Sequence, residues 1–395
     1  MRPNPVLAAL GRPLRLGVAG GGPESFIGSV HRGAAEMDGR LRVVAGVLSS
    51  DPARSRARGR AIGLEESRCY DDVGAMLAGE AARADGIEAL AVMTPNDTHH
   101  AICVAALAAG LDVVCDKPLA NSLADARDLA ARVAGSGAVF CLTHTYAGYT
   151  MLREARALVA AGAIGAVRMI DVEYLQSGMA SRHEEGSLSA KLRWKLDPAR
   201  GGPSLVLGDI GTHAFHMAEF VSGLRAEAVS AELGALVPGR TVHDYAAARL
   251  RFAGGARGTL LVSQAAAGTE NDAAIRVFGA DGHVEWRHRD PNYLVLAPQG
   301  GPPRRLGRAD PGLSPAAARL TRQPRGHPEG FREAMANLYA DAAEAMLARR
   351  TGLPADPLAL DTPGVVDGLR GIAFVAASLR SSAAGGGWAA IDTDA

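Results

Sequence analysis

The sequence predicts an α/β protein in which a doubly wound N-terminal domain precedes an α/β domain with a mostly antiparallel open sheet. Apolar strand-like runs alternate with amphipathic helical patterns through the first part of the chain. After Tyr146 the pattern changes to consecutive strand-like runs separated by turn signals. A chain of 395 residues is also too long for one ordinary core. We therefore expect two domains, at residues 1–143 and 144–395.

Five apolar runs in the first domain predict strands, and the segments between them predict helices. Such an alternation is typical of right-handed βαβ units and a parallel sheet. One helix has a capping residue and a proline at its start, in Asp51-Pro52. The strands are expected at 14–19, 41–48, 87–93, 111–115 and 139–142, and the helices at 29–37, from 51 onward, at 98–109 and at 123–133.

The second domain is expected to be built mainly from short strands. Two irregular segments, 176–202 and 298–328, are predicted as loops, and a long loop in a compact domain is often a lid or a binding loop. The strands are expected at 167–175, 226–233, 245–252, 258–264, 274–278 and 283–286, and the helices at 151–160, 209–221, 329–349 and 365–381.

Composition excludes several classes of function. The 42 basic and 42 acidic residues give no net charge, and no basic stripe indicates nucleic acid or a membrane surface. No apolar run reaches membrane-spanning length, and Val6–Leu10 is too short for a signal peptide core. The four cysteines show no Cys-x-x-Cys spacing, which favours a reducing compartment. A cytoplasmic location is expected.

A glycine cluster follows the first predicted strand. Gly20, Gly21 and Gly22 precede Ile27-Gly28 at the start of a helix, a loosened form of the dinucleotide-binding fingerprint of Rossmann domains. Glycines there allow a sharp turn and close approach of the backbone to a pyrophosphate, whose charge the helix N-terminus favours. We predict that Gly20, Gly22, Ile27 and Gly28 contact a nicotinamide dinucleotide.

The end of the second strand leaves the choice between NAD and NADP open. It reads Leu48-Ser49-Ser50-Asp51, with Arg54, Arg56 and Arg58 close behind. Ser49, Ser50 and Arg54 are suited to a 2′-phosphate, which would indicate NADP. Asp51 is suited either to the ribose hydroxyls of NAD or to a helix cap.

Lysine is rare in this chain, and one of the few lysines lies at the end of a predicted strand. Only Lys117, Lys191 and Lys195 occur among the 42 basic residues. Lys117 follows the strand-like run 111–115 and precedes a proline, at a predicted strand end where functional groups commonly lie. Arginine cannot release its proton in proteins, whereas a partly desolvated lysine can. Lys117 is therefore predicted to work in proton transfer, and the other two lysines are interpreted as surface residues.

Four further segments, in this order along the chain, resemble the Gfo/Idh/MocA oxidoreductases, a family named after glucose–fructose oxidoreductase and inositol dehydrogenase. The likeness extends from Leu14 to Trp388. The segments are Thr94-Pro95-Asn96-Asp97-Thr98-His99, Asp116-Lys117-Pro118, Ala161 to Arg168, and Gly208-Asp209-Ile210-Gly211-Thr212-His213 after a double glycine.

The resemblance implies a nucleotide domain joined to an α/β domain whose open sheet mediates homodimers or homotetramers. It implies that Thr94, Asn96, His99 and Asp116 lie on the cofactor side, with Lys117 beside the nicotinamide and the substrate hydroxyl. Asp209 and His213 would face them across a cleft. Three positions depart from the family pattern: Asp116 stands where glutamate is usual, residues 143–146 lack an arginine, and His216 stands where aspartate is frequent.

The chemistry of alcohol oxidation assigns roles to these residues. A base must take the hydroxyl proton as hydride leaves, and its pKa should lie near the working pH. His213 suits this role, and Asp209, four residues earlier, would share its helix face. Lys117 would be a hydroxyl-binding proton relay. Asp209, His213 and His216 could also form a metal triad by ligand type, but hydride transfer needs no metal and none is expected.

The predicted activity is that of an NAD(P)-dependent dehydrogenase acting on a secondary hydroxyl of a cyclic polyol or sugar, of inositol or aldopyranose type. Tyr146, Trp194, His216 and His327 are candidate substrate contacts. One alternative is a redox-assisted glycosidase with tightly bound NAD, and another is a non-catalytic regulator that senses NAD(P) and a sugar.

Overall fold

The computed structural model describes residues 4–183 and 190–393, which form two compact units. The first unit contains the chain up to Ala120 together with Ala124–Gly148 and Phe331–Gly368. The second contains Asn121–Leu123, Tyr149–Gly330 and the chain from Leu369 onward. The division differs from the predicted boundary between residues 143 and 144.

The first unit is a doubly wound α/β domain. Its five strands form a parallel sheet in the order β2-β1-β3-β4-β5. The strands are β1 (Leu14–Gly20), β2 (Leu41–Val47), β3 (Ala89–Met93), β4 (Asp112–Cys115) and β5 (Phe140–Leu142). The helices are α1 (Pro5–Leu10), α2 (Phe26–Glu36), α3 (Pro52–Ala61), α4 (Val73–Ala81), α5 (His99–Ala108) and α6 (Leu123–Ser136). The predicted fold class of this part is confirmed.

A helix from late in the chain completes the core of the first unit. Helix α12 (Phe331–Thr351) packs against α2, and Met335 and Leu338 of α12 share one buried cluster with Val30 and Ala34 of α2. Burial of such apolar side chains is the main stabilising contribution to a domain core. The placement of residues 331–368 in the second domain was therefore wrong, because sequence order does not reveal which core an apolar helix face covers.

The second unit is built on a nine-stranded sheet in the order β13-β12-β11-β10-β6-β9-β8-β7-β14. Among the described strands, β6 and β9 pair in parallel and the other neighbours are antiparallel. The strands are β6 (Val167–Gln176), β7 (Ala226–Gly234), β8 (Tyr245–Phe252), β9 (Arg257–Ser263), β10 (Asn271–Gly279), β11 (Gly282–Arg287), β12 (Tyr293–Pro298), β13 (Arg304–Gly307) and β14 (Ala389–Ala390). The predicted open, mostly antiparallel sheet is confirmed.

The helices of the second unit begin with α7 (Thr150–Ala160), α8 (Ala190–Lys195) and α9 (Pro198–Gly201), and continue with α10 (Thr212–Ser222) and α11 (Pro315–Ala318). The last helix, α13 (Val365–Ala383), starts in the first unit and continues into the second.

Both predicted loops contain regular structure. The segment 176–202 includes α8 and α9, although its residues 184–189 lie outside the described part, and the segment 298–328 includes β13 and α11. Helix α9 has Asp197 as its cap and a proline in its first turn, a start signal that we did not weigh. Glu329 precedes α12 and accepts hydrogen bonds from the backbone of Arg322 and Gln323, both at 2.7 Å.

Candidate active site

The glycine turn after β1 packs too closely to admit side chains. Gly20 and Gly21 have φ angles of 82° and 64°, a region that favours glycine. A Cβ atom on Gly20 would lie 2.7 Å from the carbonyl oxygen of Met93, and one on Gly28 would overlap the backbone of Gly21. The turn therefore offers the bare backbone that a dinucleotide pyrophosphate requires. Gly21, which we did not predict as a binding residue, is the residue whose backbone lies against Gly28.

The end of β2 uses its polar residues mainly for local structure. Asp51 caps α3, accepting a hydrogen bond from the backbone nitrogen of Arg54 at 2.7 Å, and Ser49 accepts one from the backbone nitrogen of Asp51 at 3.1 Å. The side chains of Ser50 and Arg54 are exposed. Arg58 reaches toward the glycine turn instead: it donates to Leu48 O at 3.1 Å and pairs with Glu24 at 2.7 Å.

His99 bridges the ends of two strands in the first unit. Its ring nitrogens lie 2.8 Å from the carbonyl oxygen of Pro118 and 2.9 Å from that of Thr94. A neutral imidazole has a single N–H, so both contacts are hydrogen bonds only when the ring is protonated. Asn96, in the turn before α5, is half-buried. His99 thus fixes the Lys117-Pro118 turn, and its ring nitrogens are engaged by the protein itself.

Asp116 and Lys117 follow β4 at the carboxyl end of the parallel sheet. Asp116 Oδ1 accepts a hydrogen bond from the Thr143 hydroxyl at 2.8 Å and lies 3.6 Å from His31 Nε2. Burial by itself would raise the pKa of Asp116, but His31, Lys117 and His99 outweigh burial and lower that pKa. The Asp116 carboxyl group is therefore ionised at neutral pH.

Asp209 belongs to a turn of π-helix, Leu207–Gly211, that leads into α10. We expected one regular helix over 209–221, with Asp209 and His213 on one face. The wider i→i+5 turn removes the α-helical basis of that argument. Asp209 Oδ2 accepts hydrogen bonds from Lys195 Nζ at 2.6 Å and from Gln264 Nε2 at 2.8 Å.

Lys195 was wrongly interpreted as a surface residue. Its side chain is only 21% exposed and forms the ion pair with Asp209. The rarity of lysine in the chain was a signal that applied to Lys195 as well as to Lys117. Gln264, which sequence reasoning missed, has a buried side-chain amide and directly follows β9, and no motif marks it.

Both histidines of α10 are buried, and the ring of His216 packs against an aromatic side chain. His213 lies with its ring centroid 6.4 Å from that of Tyr174. His216 stacks on Phe220 with centroids 5.5 Å apart. Burial, followed by the charges of His213 and neighbouring arginines, lowers the pKa of His216 to about 3. Within the described residues no group of three or more His, Cys, Asp or Glu side chains is arranged to hold a metal ion.

The remaining predicted substrate contacts differ in exposure. Tyr146 is buried in the first unit, with 1% of its surface exposed. Trp194 lies in the short helix α8 rather than on a loop and is half-buried. His327 is exposed, and its carbonyl oxygen accepts a hydrogen bond from Arg308. None of the three is thereby assigned to a substrate.

The buried His216 predicts a loss of stability in mild acid. Its folded pKa of about 3 lies below the ordinary value of 6.5, so the unfolded chain binds the extra proton between these values. The contribution of His216 to the free energy of unfolding is therefore fully present above pH 6.5. Below that value it decreases by about 1.4 kcal/mol for each unit by which the pH is lowered. Between neutral pH and about pH 5, the unfolding free energy of His216→Phe should fall by about 2 kcal/mol less than that of the unmodified protein. Urea unfolding at both pH values measures this.

The surface variant His100→Asn is the control for the acid effect, since His100 is partly exposed and pairs with Asp128. An acid-induced loss of stability that is the same in His216→Phe as in the unmodified protein would show that His216 does not cause it.

Comparison with known proteins identifies the family. Residues 14–144 match the profile of the oxidoreductase family with an NAD-binding Rossmann fold, and residues 152–285 match the GFO/IDH/MocA C-terminal domain. An uncharacterised oxidoreductase of Bacillus subtilis, YfiI, is 33% identical over 96% of this chain and 97% of its own length. The chain belongs to the Gfo/Idh/MocA family.

Solved structures of the family agree in fold over almost the whole chain. An oxidoreductase from Sinorhizobium meliloti is 44% identical, with a TM-score of 0.86 over 95% of this chain and 99% of that one. An inositol dehydrogenase homologue from Azotobacter vinelandii, solved with NADH and myo-inositol, is 36% identical, with a TM-score of 0.89 over 96% and 98%. The predicted family, the Rossmann fold and the NAD-binding oxidoreductase activity are confirmed.

No helix within residues 4–183 and 190–393 combines the length and apolar character needed to cross a bilayer.

Proposed function

We propose that this Gfo/Idh/MocA oxidoreductase is an NAD-dependent dehydrogenase that oxidises a secondary hydroxyl of a cyclic polyol or sugar of inositol or aldopyranose type. The position of Lys117 carries the proposal. It is the single lysine of the first unit, and it follows β4 at the same sheet edge as the glycine turn after β1. Ligands of doubly wound sheets bind at this edge.

Lys117, His213 and Asp209 are the proposed catalytic residues. NAD, when bound, would accept the hydride from the carbinol carbon. His213 would take the hydroxyl proton, Lys117 would bind the same oxygen and relay the proton, and Asp209 would support His213. The Azotobacter homologue, whose structure contains NADH and myo-inositol, supports a hydroxyl-rich ring as the substrate class.

A polar cluster in the second unit is suited to a substrate with several hydroxyl groups. Asp209, Lys195 and Gln264 are connected by hydrogen bonds of 2.6 and 2.8 Å. The buried Gln264 Oε1 atom has no hydrogen-bond partner among the described residues, although buried acceptors are normally satisfied. A hydroxyl group of the substrate would supply the missing donor.

We propose NAD rather than NADP as the cofactor. The Arg58 side chain, which lies close to Gly22, is already paired with the Glu24 carboxylate at 2.7 Å. A 2′-phosphate would have to displace this carboxylate or lie beside it, and like charges repel. The family profile for this domain is also that of NAD binding.

We further propose a homodimer or homotetramer in the cytoplasm. The nine-stranded sheet is open, and all four cysteines are free and buried, as expected in a reducing compartment. Light scattering during gel filtration tests the assembly, and a monomer at micromolar concentration would contradict it.

An absorbance screen tests the activity. The protein is incubated with NAD or NADP and with inositol isomers and common aldopyranoses, and reduced cofactor is followed at its absorbance band. NADH production with at least one ring polyol is the expected result. Cofactor binding without turnover across the panel would contradict the dehydrogenase. If a glycoside added to the panel releases its sugar while a tightly bound cofactor gives no net NADH, the redox-assisted glycosidase is favoured instead.

Substitution of Lys195 tests the cluster around Asp209. Lys195→Met removes the ammonium partner of Asp209, whose carboxylate keeps the hydrogen bond from Gln264. In the proposed mechanism, the uncompensated negative charge then favours the protonated imidazole of His213. We expect Lys195→Met to lower kcat/KM about tenfold at neutral pH, with partial recovery at higher pH. Arg193→Met, an exposed position of the same helix, is the matched control. Equal pH profiles for the two variants would contradict the role of Lys195.

A further inference from the structure

A closed ring of hydrogen bonds includes the backbone of Gln264 in the second unit. Gln264 directly follows β9, whose pairing with β6 and β8 ends at Ser263. The backbone nitrogen of Gln264 donates to the carbonyl oxygen of Asp244 at 2.9 Å, and its carbonyl oxygen accepts from the backbone nitrogen of Met179 at 3.0 Å. Two loops, one after β6 and one before β8, therefore hold Gln264 where the strand pairing stops.

The side chain of Arg240 connects these two loops. Its guanidinium donates to the carbonyl oxygen of Met179, and to that of Ser181 at 2.9 Å. The same guanidinium pairs with the Asp244 carboxylate at 3.1 Å, and neither side chain has any exposed surface. The ring therefore runs from Gln264 to Asp244, Arg240 and Met179 and back to Gln264.

The Asp244 carboxylate also closes its own loop. It accepts hydrogen bonds from the backbone nitrogens of Leu236 at 2.7 Å and Val237 at 3.2 Å. The net stabilisation from a buried ion pair is small, because desolvation of the two charges offsets their attraction. The directional bonds of Arg240 and Asp244 instead fix the position of one loop relative to the other.

The position of Gln264 matters because its side-chain amide belongs to the polar cluster around Asp209. The Nε2 atom of Gln264 donates to Asp209 Oδ2 at 2.8 Å and to Gln176 Oε1 at 3.4 Å. Both partners are acceptors, so the amide is oriented with Nε2 toward them. The other end of the amide, Oε1, is buried and receives no hydrogen bond from the part of the chain that the structure describes. This oxygen is an acceptor ready for a ligand.

We propose that Arg240 and Asp244 are positioning residues for Gln264: through the ring they hold its Oε1 atom as the acceptor for one hydroxyl group of the substrate. Such a site discriminates strongly against an analogue without that hydroxyl, because the acceptor is then buried and unpaired. The role in substrate binding rests on the proposed function. The effect of Arg240 and Asp244 on the Gln264 side chain does not.

The rarity of glutamine makes the Gln264 side chain directly observable. The full chain contains four glutamines, so protein labelled with ¹⁵N at the glutamine side chain gives four amide signals by NMR, and Gln264→Met assigns one of them. Arg240→Lys keeps a charge opposite Asp244 but not the planar fork that reaches two carbonyl groups. The double variant Arg240→Met/Asp244→Asn removes both charges, so that neither is left buried alone.

The double variant is expected to loosen the Gln264 amide in the protein without cofactor or substrate. Hydrogens on Nε2 should exchange with water ~10-fold faster than in the unmodified protein, since local opening of the two loops costs less free energy. Arg240→Lys should give a smaller increase. Arg305→Met, which removes an exposed ion pair with Asp290 in the same unit, should leave the exchange unchanged. Each variant is compared at a temperature at which urea unfolding shows it to be folded.

Steady-state kinetics on the substrate found in the absorbance screen test the role in binding. The double variant should raise KM about tenfold and change kcat little, because a hydrogen bond made equally in the ground state and the transition state contributes to KM alone. The affinity for NADH should not change. One monodeoxy analogue of that substrate should have the same KM with both enzymes, since it lacks the hydroxyl group that Gln264 Oε1 would accept.

Unchanged exchange of the Gln264 amide in both Arg240→Lys and the double variant overturns the positioning role, even if a ring polyol is oxidised and the proposed function stands. If the double variant fails to fold, Arg240→Lys alone decides. Faster exchange with an unchanged KM overturns the role of Oε1 as the acceptor. If exchange becomes faster while no ring polyol is oxidised, the positioning of Gln264 stands and the proposed function fails.

Discussion

Replacing Lys117 by alanine is expected to lower kcat/KM by ~10²–10⁴-fold, the usual contribution of a positioned proton-transfer group. The binding of NADH should change little, because the glycine turn between β1 and α2 provides the backbone that would contact the pyrophosphate. Lys117→Arg should be almost as inactive, since arginine keeps the positive charge but does not release a proton. Steady-state kinetics on the substrate found in the screen, with NADH fluorescence titration, measures both effects.

Arg132→Ala is a suitable control for the Lys117 variants. Arg132 is a half-exposed cation of the same unit that pairs with Asp128 on its own helix, so its removal should leave kcat/KM unchanged. Activity of Lys117→Arg close to that of the unmodified enzyme would show that a positive charge alone suffices. In that case the lysine would bind the substrate without relaying a proton.

Replacing His213 by alanine is expected to reduce kcat by ~10²–10³-fold and to remove a limb of its pH profile. A base works only in its neutral form, so activity of the unmodified enzyme should rise with pH as the imidazole loses its proton. In His213→Ala this rise should disappear, and added imidazole should restore part of the rate. Initial rates across the pH range, with and without imidazole, provide the measurement.

A second histidine of the same unit controls for general effects of the substitution. His283 is half-buried on β11 and contacts Phe278, with ring centroids 5.0 Å apart. His283→Asn should retain both the rate and the pH-dependent limb. If His213→Ala kept the limb at a reduced rate, another group would be the base, and the role of His213 would be limited to binding.

Patterns within short stretches of sequence predicted most of the fold. The run 245–252 was predicted as a strand and forms β8 with the same ends, because alternating burial along a strand is visible in the residue types. Asp51-Pro52 was predicted to begin a helix and does so. The apolar run that forms β12 was overlooked, and β13 was missed because it has a single apolar side chain, Leu306, among arginines.

Pairing between distant segments was not predictable in the same way. The ion pair between Lys195 and Asp209 joins residues on two different elements. The hydrogen bond between His31 and Tyr339, at 2.7 Å, joins two segments far apart in the chain. Each of these residues has an ordinary local context. Their contacts depend on how the elements pack, and the spacing of apolar residues along the sequence does not reveal that packing.

The sequence alone determined the class of both domains, the family, and the positions along the chain at which chemistry is expected, because these depend on local periodicity and on short motifs. Only the tertiary structure decided that α12 completes the nucleotide-binding unit, that Gly21 faces Gly28, and that Lys195 pairs with Asp209. The physical reason is that burial and hydrogen bonding between distant residues are set by packing of whole elements.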